Sequence, residues 1–212
     1  MLLVLLAAAT MAHSIAPRFS DVQIGAVSVR IPFPKDYCKP TGKAAAAAQL
    51  LAAADDRNVT LLTLVKCGPN ASLSDYLIVK TPIEALNADV DRSTLIEMMS
   101  KEFDKPEFKA KMGTLANDAS NRLSQVGATT VKIDAAIGPR GHDDTCVYMG
   151  GSGTENVGNE TFPKVMGMCM TAVASRMINL HAYKRATDAQ AYQPLLPFLH
   201  NWALQLSPTP HR

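Results

Sequence analysis

The sequence predicts an α+β fold: an antiparallel sheet with packed helices, an α+β sandwich. Two observations carry this expectation. In the second half, strand-like runs follow one another at hairpin distance, and runs so joined pair antiparallel. The helical patterns stand before, between and after those strands, without the strand–helix–strand alternation that builds a parallel sheet.

Residues 22–31 open the fold. Apolar residues occupy even positions, Val22 and Ile24, then odd ones, Val27, Val29 and Ile31. Successive strand side chains point to opposite faces, so the parity switch at Gly25-Ala26 marks a bulge or a tight turn. Pro32 and Pro34 end the run. Residues 43–55 read as a helix of strong helix formers, Ala and Leu. Strands follow at 59–65 and 76–80. A helix at 94–103 opens on Thr94-x-x-Glu97, the spacing of a capping box. A second helix, 105–126, is capped by Asp104 with Glu107 three residues on, and Gly127 stops it. Its stripe of Phe108, Met112, Leu115, Ala119, Leu123 and Val126 recurs at helical spacing.

The remainder is mostly sheet. Residues 129–135 alternate, with Val131 and Ile133 on one face. Runs 144–149 and 164–173 flank the loop-like segment GSGTENVGNE, and 177–183 returns after a tight turn at 173–176. Thr187-x-x-Gln190 caps a closing helical segment that Pro194 and Pro197 kink or restart. Leu195, Leu196, Leu199, Trp202 and Leu206 supply its apolar face. Residues 15–206 form one domain, and residues 207–212 a frayed tail.

The element order resembles the PsbP/Mog1-like α-β-α sandwich. The N-terminal strand region 22–31, the late hairpin 164–183 and the closing helix through Trp202 carry the resemblance. It implies the fold and, since that fold mainly hosts accessory and binding proteins, a non-enzymatic role. It transfers no functional residue.

The first fourteen residues, MLLVLLAAATMAHS, are apolar, uncharged and closed by small residues. The run is shorter than the roughly 20 apolar residues a membrane span needs, and it fits the apolar region of a signal peptide, residues 1–14. No later segment is apolar enough to span, so the mature chain carries no transmembrane segment. The address is periplasmic or secreted. In such a compartment the four cysteines suggest two disulfides, with three connectivities open. A hairpin centred on Val157-Gly158 brings Cys146 opposite Cys169, and elimination pairs Cys38 with Cys67. No two cysteines stand at CxxC or zinc-ligand spacing, which disfavours redox and metal chemistry.

A net charge of +2 with interspersed signs argues against nucleic acid as a partner. Lys101, Lys105, Lys109 and Lys111 alternate with Glu102, Asp104 and Glu107, the pattern of a solvated helix face. No cofactor motif is present. In Gly141-His142-Asp143-Asp144, at most His142 and Asp144 share a strand face, and a turn fits better than a metal site. Ser152 has Gly150 two residues before it but Thr154 two after it, so it fails the nucleophile-elbow pattern. Asn58, Asn70 and Asn159 begin N-glycosylation acceptor patterns, unused if the host is bacterial, as the Ala-rich leader suggests.

The late hairpin offers the one constellation with functional promise. A turn centred on Ala174-Ser175 sets Met166 opposite Tyr183, Met168 opposite His181 and Met170 opposite Asn179. That face is apolar with polar tips, the composition of a ligand pocket or partner surface, and methionine suits adaptable binding. The opposite face, Val165, Cys169, Ile178, Leu180 and Ala182, is plain core. Helix 105–126 is the expected cover of the methionine face. The sequence therefore points to an exported, non-enzymatic binding or accessory protein, whose partner is an unknown envelope protein or a small apolar ligand. The alternative is an exported hydrolase whose site is assembled from scattered residues.

Overall fold

The computed structural model describes residues 18–69, 71–127 and 130–210, and of residues 109, 111, 113 and 115 the backbone only. The leader expected at residues 1–14 lies outside the described residues. β1 (Phe19–Ile24) and β2 (Val27–Pro32) pair through a tight turn at Gly25-Ala26, where Gly25 takes a positive φ of 56° that suits glycine. β3 (Tyr37–Cys38), α1 (Gly42–Ala53), β4 (Asn58–Lys66) and β5 (Asp75–Pro82) follow, then a 3₁₀ turn at Ile83–Ala85. Next come α2 (Arg92–Phe103), α3 (Pro106–Gly127), β6 (Val131–His142), β7 (Val147–Val157), β8 (Glu160–Val173) and β9 (Arg176–Arg185). α4 (Leu195–Ala203) and β10 (Ser207–Pro208) close the chain.

Seven strands form one antiparallel sheet in the order β3-β4-β5-β9-β8-β7-β6, and β1, β2 and β10 form a second. Strand parity separates two layers of packing. One face of the large sheet carries Leu64, Leu77, Val79, Tyr148, Cys169, Ile178 and Leu180 into a core shared with Ile24, Val29 and Ile31 of the small sheet and Leu199 and Trp202 of α4. Trp202 is 1% exposed, and its indole N–H donates to the Pro32 carbonyl oxygen at 2.8 Å, which satisfies the ring's polar tip inside that core. The other face packs Val147, Met149 and Met170 against Ile96 and Phe103 of α2, with Phe108 and Met112 of α3 alongside. The architecture is the α+β sandwich expected: α1, α2 and α3 on one face, and α4 with the small sheet on the other.

Both disulfides join the expected cysteines. Cys38 and Cys67 lie with Cα atoms 5.2 Å apart, Cys146 and Cys169 with Cα atoms 5.3 Å apart. The register of the second pair differs from expectation. The glycine-rich run is not a loop: β7 continues through it, and the turn is the two-residue Gly158-Asn159, with Val157 opposite Glu160. Cys169 therefore stands opposite Tyr148, and Cys146 reaches it from just beyond the strand end. Gly158 at φ 58° makes the tight turn at the later position.

Other boundaries move for local reasons. α2 begins two residues before Thr94, at Arg92, because Asp91 is the cap: its carboxylate accepts from the Thr94 backbone N–H at 2.9 Å and the Thr94 hydroxyl at 2.6 Å. Asp104 ends α2 rather than capping α3, which starts at Pro106, a residue suited to a first helical position. The turn near Gly138-Gly141 falls later. β6 runs on to His142 with a register shift after Pro139, and Asp143 makes the turn by accepting from the N–H groups of Thr145 and Cys146, each at 2.8 Å. Thr187 caps no helix: α4 starts after Pro194, so Pro197 sits in its first turn, where a missing N–H costs nothing. Ser207 and Pro208 are not frayed but pair with Arg30 and Val29 of β2, and the Thr209 N–H donates to the Ser28 carbonyl oxygen at 2.9 Å. That ladder uses an edge of β2 that would otherwise lie open. Among the described residues, no helix is long and apolar enough to cross a membrane.

Candidate functional site

β8 and β9 meet in the expected register: Met166 opposite Tyr183, Met168 opposite His181, Met170 opposite Asn179. Their turn is Ala174-Ser175, with φ 49° and 59°, the two successive positive values of a hairpin whose twist matches its strands. The five candidate residues Met166, Met168, Met170, His181 and Tyr183 thus share one face, but they do not share one environment. Met170 is buried beneath α2, and Met168 packs at the margin of the same cluster. The cover is therefore split between α2 and α3 rather than supplied by α3 alone.

Beyond Met168 the helices and sheet part, and Met166 and Tyr183 line a cavity of about 330 Å³. Its floor continues across Ile78 of β5, Gly151 and Gly153 of β7, and Ile133, Ala135 and Ile137 of β6. Leu51 and Ala54, on and just beyond α1, and Ala119 and Leu123 of α3 form the opposing wall. The glycines have a steric reason. A Cβ on Gly151 would collide with the Ala136 carbonyl oxygen, and one on Gly153 with the Asp134 carbonyl oxygen, so only glycine lets β6 approach β7 as it does. α3 is held over β6 by two serines: the Ile133 N–H donates to Ser120 Oγ, and the Val131 N–H to Ser124 Oγ, each at 2.8 Å.

Tyr76 and Tyr183 stack with centroids 4.6 Å apart and planes within 9°. The His181 ring lies parallel to Tyr183 at 6.1 Å. Burial, seconded by the charge on Lys80, pushes the His181 imidazole down to about 3 against the opposing pull of Asp55, so it is neutral. Its Nδ1 is buried without a hydrogen-bond partner. Burial also raises both tyrosine hydroxyls above their ordinary value.

Charged side chains ring the apolar surface in pairs. Lys80 Nζ lies 2.5 Å from Asp55 Oδ2, and Lys164 pairs with Glu155 while standing 5.4 Å from the Tyr76 ring centroid. Arg57 meets Asp118 at 3.1 Å, and Arg122 pairs with Asp56. Burial alone would raise the Asp55 carboxyl, but Lys80, Asn58 and the Arg57 N–H outweigh it and hold the group below its ordinary value.

Of the other sequence candidates, Ser152 borders the same cavity and His142 stands elsewhere. Ser152 lies mid-strand on β7, opposite Ala136 and Val165. His142 ends β6, beside a smaller cleft that Ser100, Lys101 and Asp104 also line, and β8 and β7 stand between it and His181. The histidine–carboxylate contact that forms is a different one. His200 Nδ1 of α4 lies 2.9 Å from Asp143 Oδ2, which also accepts from the Tyr148 hydroxyl at 2.6 Å. This cluster ties α4 to the β6–β7 turn.

Sequence reasoning passed over Lys80, Glu155 and Lys164. Strand parity carried the signal: Tyr76, Ile78 and Lys80 alternate onto one face of β5, and Lys164 precedes Met166, Met168 and Met170 on the same face of β8. Lys80 and Lys164 were therefore inward-pointing charges, readable as such once the strands were assigned.

No family model matches the chain. No curated protein matches it either. Among solved structures it is similar to the solution structure of cyanobacterial PsbP (CyanoP) from Synechocystis sp. PCC 6803, at 11% identity and a TM-score of 0.38, with 94% of this chain and 98% of that chain covered.

Proposed function

We propose that this protein is an exported, non-enzymatic binding module and that it holds a small apolar ligand in the cleft between the sheet and helices α1 and α3. The observation that carries the reading is the cavity itself, its size and its lining. At about 330 Å³ it lies at the lower end of the roughly 300–1,000 Å³ of small-molecule sites. Its lining is mostly aliphatic, aromatic and methionine side chains, with Asn58, Ser152, Thr154 and the charged pairs among them, which suits a ligand of low polarity. Export to the periplasm or beyond is supported by the two disulfides and by the apolar leader at residues 1–14.

The test is a fluorescence titration with N-phenyl-1-naphthylamine, a neutral probe that brightens in apolar surroundings. The wild-type chain gives a saturable rise at about one site per chain. Ala119→Phe fills the cleft from the α3 side and weakens binding at least about tenfold, roughly 1.4 kcal/mol, with circular dichroism unchanged. No saturable rise in the wild type, or equal affinity in a folded variant, overturns the reading.

A further inference from the structure

We propose that the ligand of this cleft is uncharged: a neutral apolar molecule rather than a fatty-acid anion or an amine cation. The inference rests on the reading of the cleft as the binding site. Among the described residues, every charged side chain lining the cavity is already in an ion pair with another protein group. Lys80 pairs with Asp55, Lys164 with Glu155, Arg57 with Asp118 and Arg122 with Asp56.

In two of these pairs both side chains are largely buried. The Lys80 and Asp55 side chains are 13% and 16% exposed, and those of Lys164 and Glu155 are 21% and 23% exposed. Asp55 is further committed, since it accepts from the Asn58 side-chain amide at 3.0 Å and from the Asn58 backbone N–H at 3.1 Å. An anionic ligand reaching Lys80 or Lys164 would displace a carboxylate and strand it, half-buried, without a partner. A cationic ligand reaching Asp55 or Glu155 would strand a lysine in the same way. Separating a desolvated pair to form another returns no net Coulomb energy and adds the desolvation of the ligand's own charge. An uncharged ligand meets the apolar floor and leaves all four pairs intact.

Two probes with nearly the same ring body and different charge decide it. N-phenyl-1-naphthylamine is neutral, and 8-anilino-1-naphthalenesulfonate carries a sulfonate. The neutral probe binds the wild-type chain at least about tenfold more tightly. Equal or tighter binding of the sulfonate overturns the proposal while leaving the cleft reading standing. Binding of neither probe overturns both. Asp55→Asn frees Lys80, and the ratio of the two affinities then moves about tenfold or more toward the sulfonate. Should that variant fail to fold, Glu155→Gln frees Lys164 and moves the ratio the same way. An unchanged ratio in a folded variant contradicts the account.

Discussion

His181 stands on β9 with a neutral ring, an unpartnered Nδ1 and the Lys80–Asp55 pair nearby. This arrangement makes folding stability depend on pH. Above 6.5, the ordinary value, the imidazole is neutral in both states. Below it the unfolded chain takes up a proton that the folded chain refuses until about 3. Stability therefore falls with pH through that window, at up to about 1.4 kcal/mol per pH unit for one proton. Asp55 adds its own loss only below 3.8, since its folded-state value is depressed. Urea unfolding of His181→Leu, followed between about pH 4.5 and 7, has a flatter slope than the wild type. Parallel slopes would contradict the burial of a neutral ring. At Gly151 the constraint is steric, and Gly151→Ala costs about 1–3 kcal/mol by forcing β6 away from β7, read as a fall in urea midpoint.

At the scale of elements, the β8–β9 turn holds two successive residues at positive φ, and neither Ala174 nor Ser175 is a residue that favours it. Replacing Ala174-Ser175 by Asn-Gly raises stability by about 1 kcal/mol, seen as a higher urea midpoint at constant slope. A loss would show that the side chains outweigh the backbone there. This hairpin was legible in the sequence because tight turns leave little freedom: once Val173 and Arg176 close it, every partner from Met170 to Met166 follows. The neighbouring β7–β8 hairpin was harder to place. Its glycines have two sources, a turn at Gly158 and close strand approach at Gly151 and Gly153, and composition alone does not separate them. Helix starts were misplaced for a similar reason. Thr94 and Asp91 both suit an N-cap, and three-dimensional context chose Asp91.

Across the whole molecule, the two disulfides secure opposite ends of the large sheet order. Cys38–Cys67 joins β3 to the end of β4, and Cys146–Cys169 joins the β6–β7 turn to β8. With sequence separations of 29 and 23 residues, removing either pair by double Cys→Ala substitution costs about 3–4 kcal/mol on the chain-entropy model. Thermal unfolding checks the size of each loss, and a negligible loss for either pair would contradict that model here. The layered fold followed from strand parity and turn spacing, which are local. The cleft did not, because it lies between α1, α3 and the β6–β7 ribbon, and the spacing of those elements is something no residue pattern records. Methyl NMR of ¹³C-labelled methionine, titrated with N-phenyl-1-naphthylamine, tests the central claim most directly. The account predicts that the Met166 methyl resonance shifts, while Met170, 5% exposed beneath α2, and Met98, 59% exposed on α2, stay in place. A stationary Met166 with binding intact, or a shift confined to Met98, would contradict it.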